Sequence, residues 1–327
     1  MNKKRWAAVI VAVIILLVSS MTKAPKEIVS KESENIVKDF FDSYALDGIV
    51  EEIVEPGGKD RIAIIPIIGT IQDSSAKAGS YNHQVVLEEI EMVRNDPSIK
   101  ALMIYMDSPG GYVYHSAEVK DRLDQLKAET GIPIYTSMAS LGASGGYWIS
   151  MASDKIFAAE QTVTGSIGVL SGGINLSQWL NEHGIYDETF RSGEMKDAGS
   201  MTKPMTENQR EYLQENVNRI YEKFVDVVAK GRKMDKATVR KLADGRVYDG
   251  EQAKELNLVD EIGYLDEALI DLKANHDLQN ATVFQYIYKG NPFTNMLSII
   301  NSKNYNPLTE MKNSSAPLLF YGGMLYE

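Results

Sequence analysis

The sequence predicts an α/β fold, and three observations carry the prediction. Short apolar runs of strand length alternate with longer stretches of helical period, which is the pattern of parallel βαβ units. A glycine-rich turn, Asp107-Ser108-Pro109-Gly110-Gly111, falls where one such run gives way to a helix. A chain of 327 residues, 44% hydrophobic and 24% charged, has ordinary globular composition and ample means to bury a core.

The elements follow in order. Lys3-Lys4-Arg5 precedes an apolar stretch from Trp6 that trails into Ser19, Ser20 and Met21, so residues 1–22 read as a transmembrane anchor or a cleavable signal peptide. Trp6 to Met21 is about 16 residues, roughly 24 Å of helix against about 30 Å of hydrocarbon, and flanking lysines must snorkel if it spans. In either case the basic flank stays cytoplasmic and the remainder is exported. Residues 23–59 read as a polar tether with one amphipathic helix, whose apolar stripe is Ile36, Val37, Phe40, Phe41 and Tyr44.

Residues 60–287 form the expected catalytic α/β domain. Strands are expected at 61–71, 99–106, 133–138, 156–159 and 188–191, and helices at 85–93, 116–128, 144–151, 207–229, 236–242 and 265–273. Beyond Tyr288 the periodicity fades, and residues 288–327 are expected to be a mobile tail with an apolar end, Leu318-Leu319-Phe320-Tyr321. No internal repeat is evident.

Composition excludes several classes of function. A net charge of −11 with no concentrated basic face argues against a nucleic-acid partner. The absence of cysteine removes thiol nucleophiles, disulfides and thiolate metal sites together. The four histidines, His83, His115, His183 and His276, have no metal-ligand spacing, and no metal or organic cofactor is expected.

What remains is a serine with small neighbours and a lysine. Ser144, in Ala143-Ser144-Gly145-Gly146-Tyr147, follows a strand and opens a helix, and glycines beside it leave room for a carbonyl group. The N–H groups of Gly111 and Gly145 are candidate oxyanion donors. Lys196, in Ser192-Gly193-Glu194-Met195-Lys196-Asp197, is the candidate base. A lysine accepts a proton only as the free amine, so its ordinary pKa of about 10.4 has to fall by several units, which desolvation achieves. Asp197, if on a strand, points the opposite way. Ser166, in Thr164-Gly165-Ser166-Ile167-Gly168, is a candidate to orient the amine by a hydrogen bond.

These motifs, with Gly245-Arg246-Val247-Tyr248-Asp249-Gly250, stand in an order that resembles the short Gram-positive form of the signal peptide peptidase A family, from about residue 60 to 275. One departure is Trp148, where many relatives carry a second tyrosine. The resemblance implies a Clp-protease and crotonase-like fold with repeated ββα units. It implies a membrane-anchored serine endopeptidase with Ser144 as nucleophile, Lys196 as general base, Gly111 and Gly145 as oxyanion donors and Ser166 holding the lysine. Its implied substrates are remnant signal peptides and other apolar peptides. Its implied assembly is a homo-octamer in which serine and lysine come from neighbouring subunits.

Three other readings compete. A Ser-His-Asp hydrolase would recruit His115. A crotonase-type acyl-CoA enzyme would share the fold, but an exported chain would not meet that cofactor. A non-catalytic membrane-anchored scaffold would keep the fold for assembly alone. A further expectation concerns the tail, whose apolar end could itself enter the active site.

Overall fold

The computed structural model describes residues 48–73, 81–289 and 318–320. The expected membrane segment, the amphipathic stripe of the tether and most of the tail lie outside these residues. Among the described residues no helix is long and apolar enough to cross a membrane.

The framework is a mixed α/β fold around a central sheet. Its strands are β1 (Gly48–Glu55), β2 (Arg61–Ile68), β3 (Ile99–Ser108), β5 (Ile134–Ala143), β6 (Lys155–Ala158), β9 (Glu261–Ile262) and β10 (Thr282–Lys289), in the order β1-β10-β2-β3-β5-β6-β9. From β10 to β9 the neighbours run parallel, and β1 closes one edge antiparallel to β10. Two short strands, β7 (Val163–Gly165) and β8 (Val247–Tyr248), extend the sheet beyond the carboxyl end of β5.

Alternation along β2 and β3 explains why these runs are apolar throughout. Ala63, Ile65, Ile67, Leu102, Ile104 and Met106 join the larger core, while Ile62, Ile64, Ala101 and Met103 join a second core on the opposite face. A strand buried on both faces has no polar side to show. The larger core is closed by α1 (His83–Asn95), α2 (Val113–Thr130), α3 (Gly145–Ser150) and α5 (Glu207–Gly231), and the smaller by α8 (Leu265–Asn275) through Ala268, Leu269 and Leu272. Between them in sequence lie the short helices α4 (Ser177–Glu182), α6 (Lys236–Leu242) and α7 (Gly250–Glu255).

Helix ends follow the sequence closely. Asn82 caps α1 by accepting from Val85 N–H, and α2 stops at Gly131, which takes φ 70° and donates to Lys127 C=O. Thr206 and Gln209 form a reciprocal capping box at the start of α5. Buried Val86, Ile90 and Val93 on α1, and Val119, Leu123 and Leu126 on α2, recur at helical spacing.

Three expectations are corrected. Residues 48–55, placed in the tether, form β1, because β10 offers an open edge whose existence depends on a strand more than two hundred residues away. Residues 188–191 are not a strand, since the short pattern there finds no sheet neighbour. The strand ending at Met138 continues to Ala143, because after a register shift it pairs again with β3 at Gly142 and with β7 over Leu141 to Ala143. At the other end of the chain, β11 (Leu318–Phe320) pairs antiparallel with β4 (Gly110–Tyr112).

Candidate active site

β5 delivers Ser144 at the junction with α3. The residue is fully buried, with φ 53° and ψ −115°. A non-glycine residue held there stores on the order of 1–3 kcal/mol of strain, which persists only where neighbours over-determine it. They do: Ser144 N–H donates to Gly165 C=O at 2.9 Å, and its carbonyl accepts from Trp148 N–H at 2.9 Å. Beneath it, buried Tyr147 donates its hydroxyl to Leu258 C=O at 2.7 Å and anchors α3. Ser144 Oγ is itself buried and has no hydrogen-bond partner among the described residues.

Gly145 and Gly111 meet beside it. A β-carbon at position 145 would lie 2.4 Å from Ser116 Oγ and 3.2 Å from Gly111 N, so any side chain would fill the space between the two amides. A β-carbon on Gly111 would lie 2.0 Å from Ile71 C=O, so that position also accepts glycine alone. On the edge of β4 facing Ile71, Ile71 N–H donates to Gly110 C=O at 2.9 Å and Tyr112 N–H donates to Ile71 C=O at 2.8 Å. The opposite edge is where β11 pairs, with Leu319 opposite Gly111.

Ser166 is buried at φ 48°, one residue past the carbonyl that holds Ser144. Its N–H donates to Arg246 C=O at 2.8 Å. The Gly245–Gly250 motif thus serves the architecture of the site, because β8 runs antiparallel to β7 and Asp249 caps α7 in a reciprocal box with Gln252.

No hydrogen bond joins Lys196 to this group among the described residues. It sits on a 3-10 turn, Glu194–Asp197, in a stretch with little regular structure, and its side chain is exposed. Among the described residues its Nζ makes no hydrogen bond or ion pair. The turn is nonetheless held: Gln209 Nε2 donates to Asp197 at 3.0 Å and to Glu194 C=O at 2.5 Å, and Arg191 pairs with Asp197. The Arg191 hydrogen bond keeps the Asp197 carboxyl below the usual carboxylate range. Asp197 is therefore engaged away from Lys196, though on a 3-10 turn and not on the expected strand. Earlier in the same stretch of chain, Ile174, Trp179, Ile185, Tyr186 and Phe190 are exposed, the last 94% accessible.

His115 packs edge-on to His83, at 4.5 Å between ring centroids, and against Tyr112 and Tyr114. Burial and the neighbouring His83 hold its imidazole below the ordinary range. No hydrogen bond joins it to Ser144 among the described residues. Sequence reading missed a buried chain beside it, in which Tyr81 Oη meets His83 Nδ1 at 2.7 Å and His83 Nε2 meets Glu118 at 2.9 Å. It also missed the hydroxyls of Ser108 and Ser116, since no local pattern tells which way a serine points.

A buried serine on a strand-to-helix turn at positive φ, with Gly111 packed close against Gly145, is the arrangement of a serine hydrolase built on an α/β sheet. The model of peptidase family S49 matches residues 126–279, a range that contains Ser144, Ser166 and Lys196. An Enterococcus faecium protein assigned as a signal peptide peptidase SppA is 42% identical over 88% of this chain and 85% of its own length. Protease 4 of Haemophilus influenzae is 30% identical over 70% of this chain, which spans 37% of that longer protein. A chloroplastic serine protease SPPA of Arabidopsis thaliana is 30% identical over 75% of this chain and 37% of its own length. The chain belongs to peptidase family S49 and is a serine protease.

Proposed function

We propose that the protein is a membrane-anchored Ser/Lys endopeptidase that cleaves remnant signal peptides and other apolar peptides on the extracytoplasmic side of the cell membrane. In this reading the fold is Clp-protease-like. Ser144 Oγ attacks the scissile carbonyl, the Lys196 amine takes the hydroxyl proton, and the N–H groups of Gly111 and Gly145 receive the oxyanion. The lysinium then gives its proton to the leaving amine, and water releases the acyl group by the same route reversed. Ser166 orients the lysine.

The observation that carries the reading is a division. The nucleophile is buried and unpartnered beside Gly145, while the lysine is exposed on a lobe rich in accessible apolar side chains. Such a surface is an interaction site by default. A neighbouring copy that covers this lobe would desolvate Lys196 and present it to Ser144, which favours a homo-oligomer, in the family pattern an octamer, with a dyad shared between subunits. The scaffold reading asks for no buried nucleophile under strain.

The test is hydrolysis of an apolar, signal-like peptide by the full chain in detergent, beside Ser144→Ala and Lys196→Ala. Loss of turnover in both variants, with assembly intact, supports the dyad. Turnover surviving in Lys196→Ala and lost in His115→Ala would move the base to the histidine. A wild type that is folded, assembled and inactive would favour the scaffold.

A further inference from the structure

We infer that the Ser108 hydroxyl is a positioning group for the oxyanion donor, holding the Gly110-Gly111 peptide so that the Gly111 N–H faces Ser144. The inference rests on the proposed role of Gly111. A trans peptide is planar, so the carbonyl of Gly110 and the N–H of Gly111 belong to one rigid unit and point in opposite directions. Whatever fixes that carbonyl aims that donor. Ile71 N–H donates to it at 2.9 Å, and the Gly111 N–H consequently points to the other edge of β4, where Leu319 pairs and where a β-carbon at position 145 would lie 3.2 Å from Gly111 N.

No side chain resists a flip of this peptide. Gly110 takes φ 96°, and neither residue flanking the peptide has a β-carbon to resist a flip. Hydrogen bonds must hold it, and Ser108 joins the two segments that make them. Its Oγ, completely buried, donates to Gly69 C=O at 2.6 Å and accepts from Gly110 N–H at 3.1 Å. Gly69 N–H in turn donates to Asp107 C=O at 2.9 Å. One hydroxyl therefore clamps the segment that carries Ile71 to the segment that carries the oxyanion peptide, with its donor and an acceptor position both used. Removing it leaves a partly buried carbonyl and a buried N–H without their partner, and it unties the two segments whose contact fixes the glycine peptide.

The experiment uses the full chain in detergent, a fluorogenic leucine-rich tripeptide amide as substrate, and the matching peptide aldehyde, which forms a tetrahedral adduct with the nucleophile. Ser108→Ala should lower kcat by at least about 10-fold, toward the ~10²–10³-fold that loss of a whole oxyanion donor brings, with KM changed little. Aldehyde affinity should fall by a comparable factor. Thr and Val add the same bulk at this site and differ in the hydroxyl, so Ser108→Thr should retain clearly more activity than Ser108→Val. An Ala variant with kcat within about twofold of wild type, or equal activity in the Thr and Val variants, overturns the inference. The control is separate: if Ser144→Ala kept wild-type turnover, the reading of the site would fail, whereas loss in Ser144→Ala with full activity in Ser108→Ala sinks the positioning role alone.

Discussion

Ser144 donates its backbone N–H to the carbonyl of Gly165, and both residues stand at positive φ, 53° and 79°. The bond joins the nucleophile's turn to β7, and through Gly165 to Ser166, so the two serines of the site are set by one backbone contact. It also explains how a disfavoured conformation survives at Ser144, since β7 is in turn held by β8.

Relief of that strain is measurable. Ser144→Gly should be more stable than Ser144→Ala by about 1 kcal/mol, because the strain of about 1–3 kcal/mol disappears while glycine adds about 0.4–1 kcal/mol of unfolded-state freedom. Thermal unfolding of the two inactive variants decides it, and a Gly variant that melts below the Ala variant would mean the turn is not strained.

Gly145→Ala should abolish turnover and lower stability, because its methyl would meet Ser116 Oγ at 2.4 Å and crowd Gly111 N at 3.2 Å. Adding Ser116→Ala removes the first contact and not the second. The double variant should therefore regain stability without regaining activity, as paired melts and peptide assays would reveal.

If the dyad is shared between subunits, hetero-oligomers of Ser144→Ala and Lys196→Ala chains should recover part of the activity that each lacks alone. Verified mixed oligomers that stay inactive would place serine and lysine in one chain.

The antiparallel pairing of Leu318–Phe320 with Gly110–Tyr112 sets the tail's backbone on the edge of β4 opposite Ile71. An added strand there competes with any extended peptide that binds the same edge. Deleting residues 318–327 should raise turnover of short peptides, chiefly by lowering KM, and unchanged kinetics would remove the tail from the site.

Glu89 offers a pH test away from the chemistry. Its side chain is buried on α1 with one oxygen unpartnered, and desolvation, aided by the Glu88 charge, pushes its pKa up to about 9. The folded carboxyl stays protonated while the unfolded one ionises near 4.5. Its contribution is complete below the unfolded value and drains as pH rises toward 9, at about 1.4 kcal/mol per unit. Glu89→Gln lacks this slope, so its stability advantage should grow from pH ~5 to pH ~9 in denaturant titrations. A constant difference across that range would contradict the raised pKa.

Local chemistry made much of this protein legible in its sequence. The doubly apolar runs of β2 and β3 and the helical stripes of α1, α2 and α5 are periodicities that any single segment displays. The glycines beside Ser144 and in the Asp107–Gly111 turn were legible too, because a backbone that must approach another backbone excludes side chains wherever it occurs. Tertiary structure alone decided what depends on distant partners. The edge strand β1 exists because β10 returns beside it, Ser166 is held because Arg246 pairs with it, and Ser108 matters because its hydroxyl meets Gly69. Lys196 marks the same boundary from the other side: sequence names it as the base, but the environment that would make it one is not supplied by its own neighbours in the chain. A pattern records which residues can face a common core; it does not record which remote group a hydroxyl or an amine will meet.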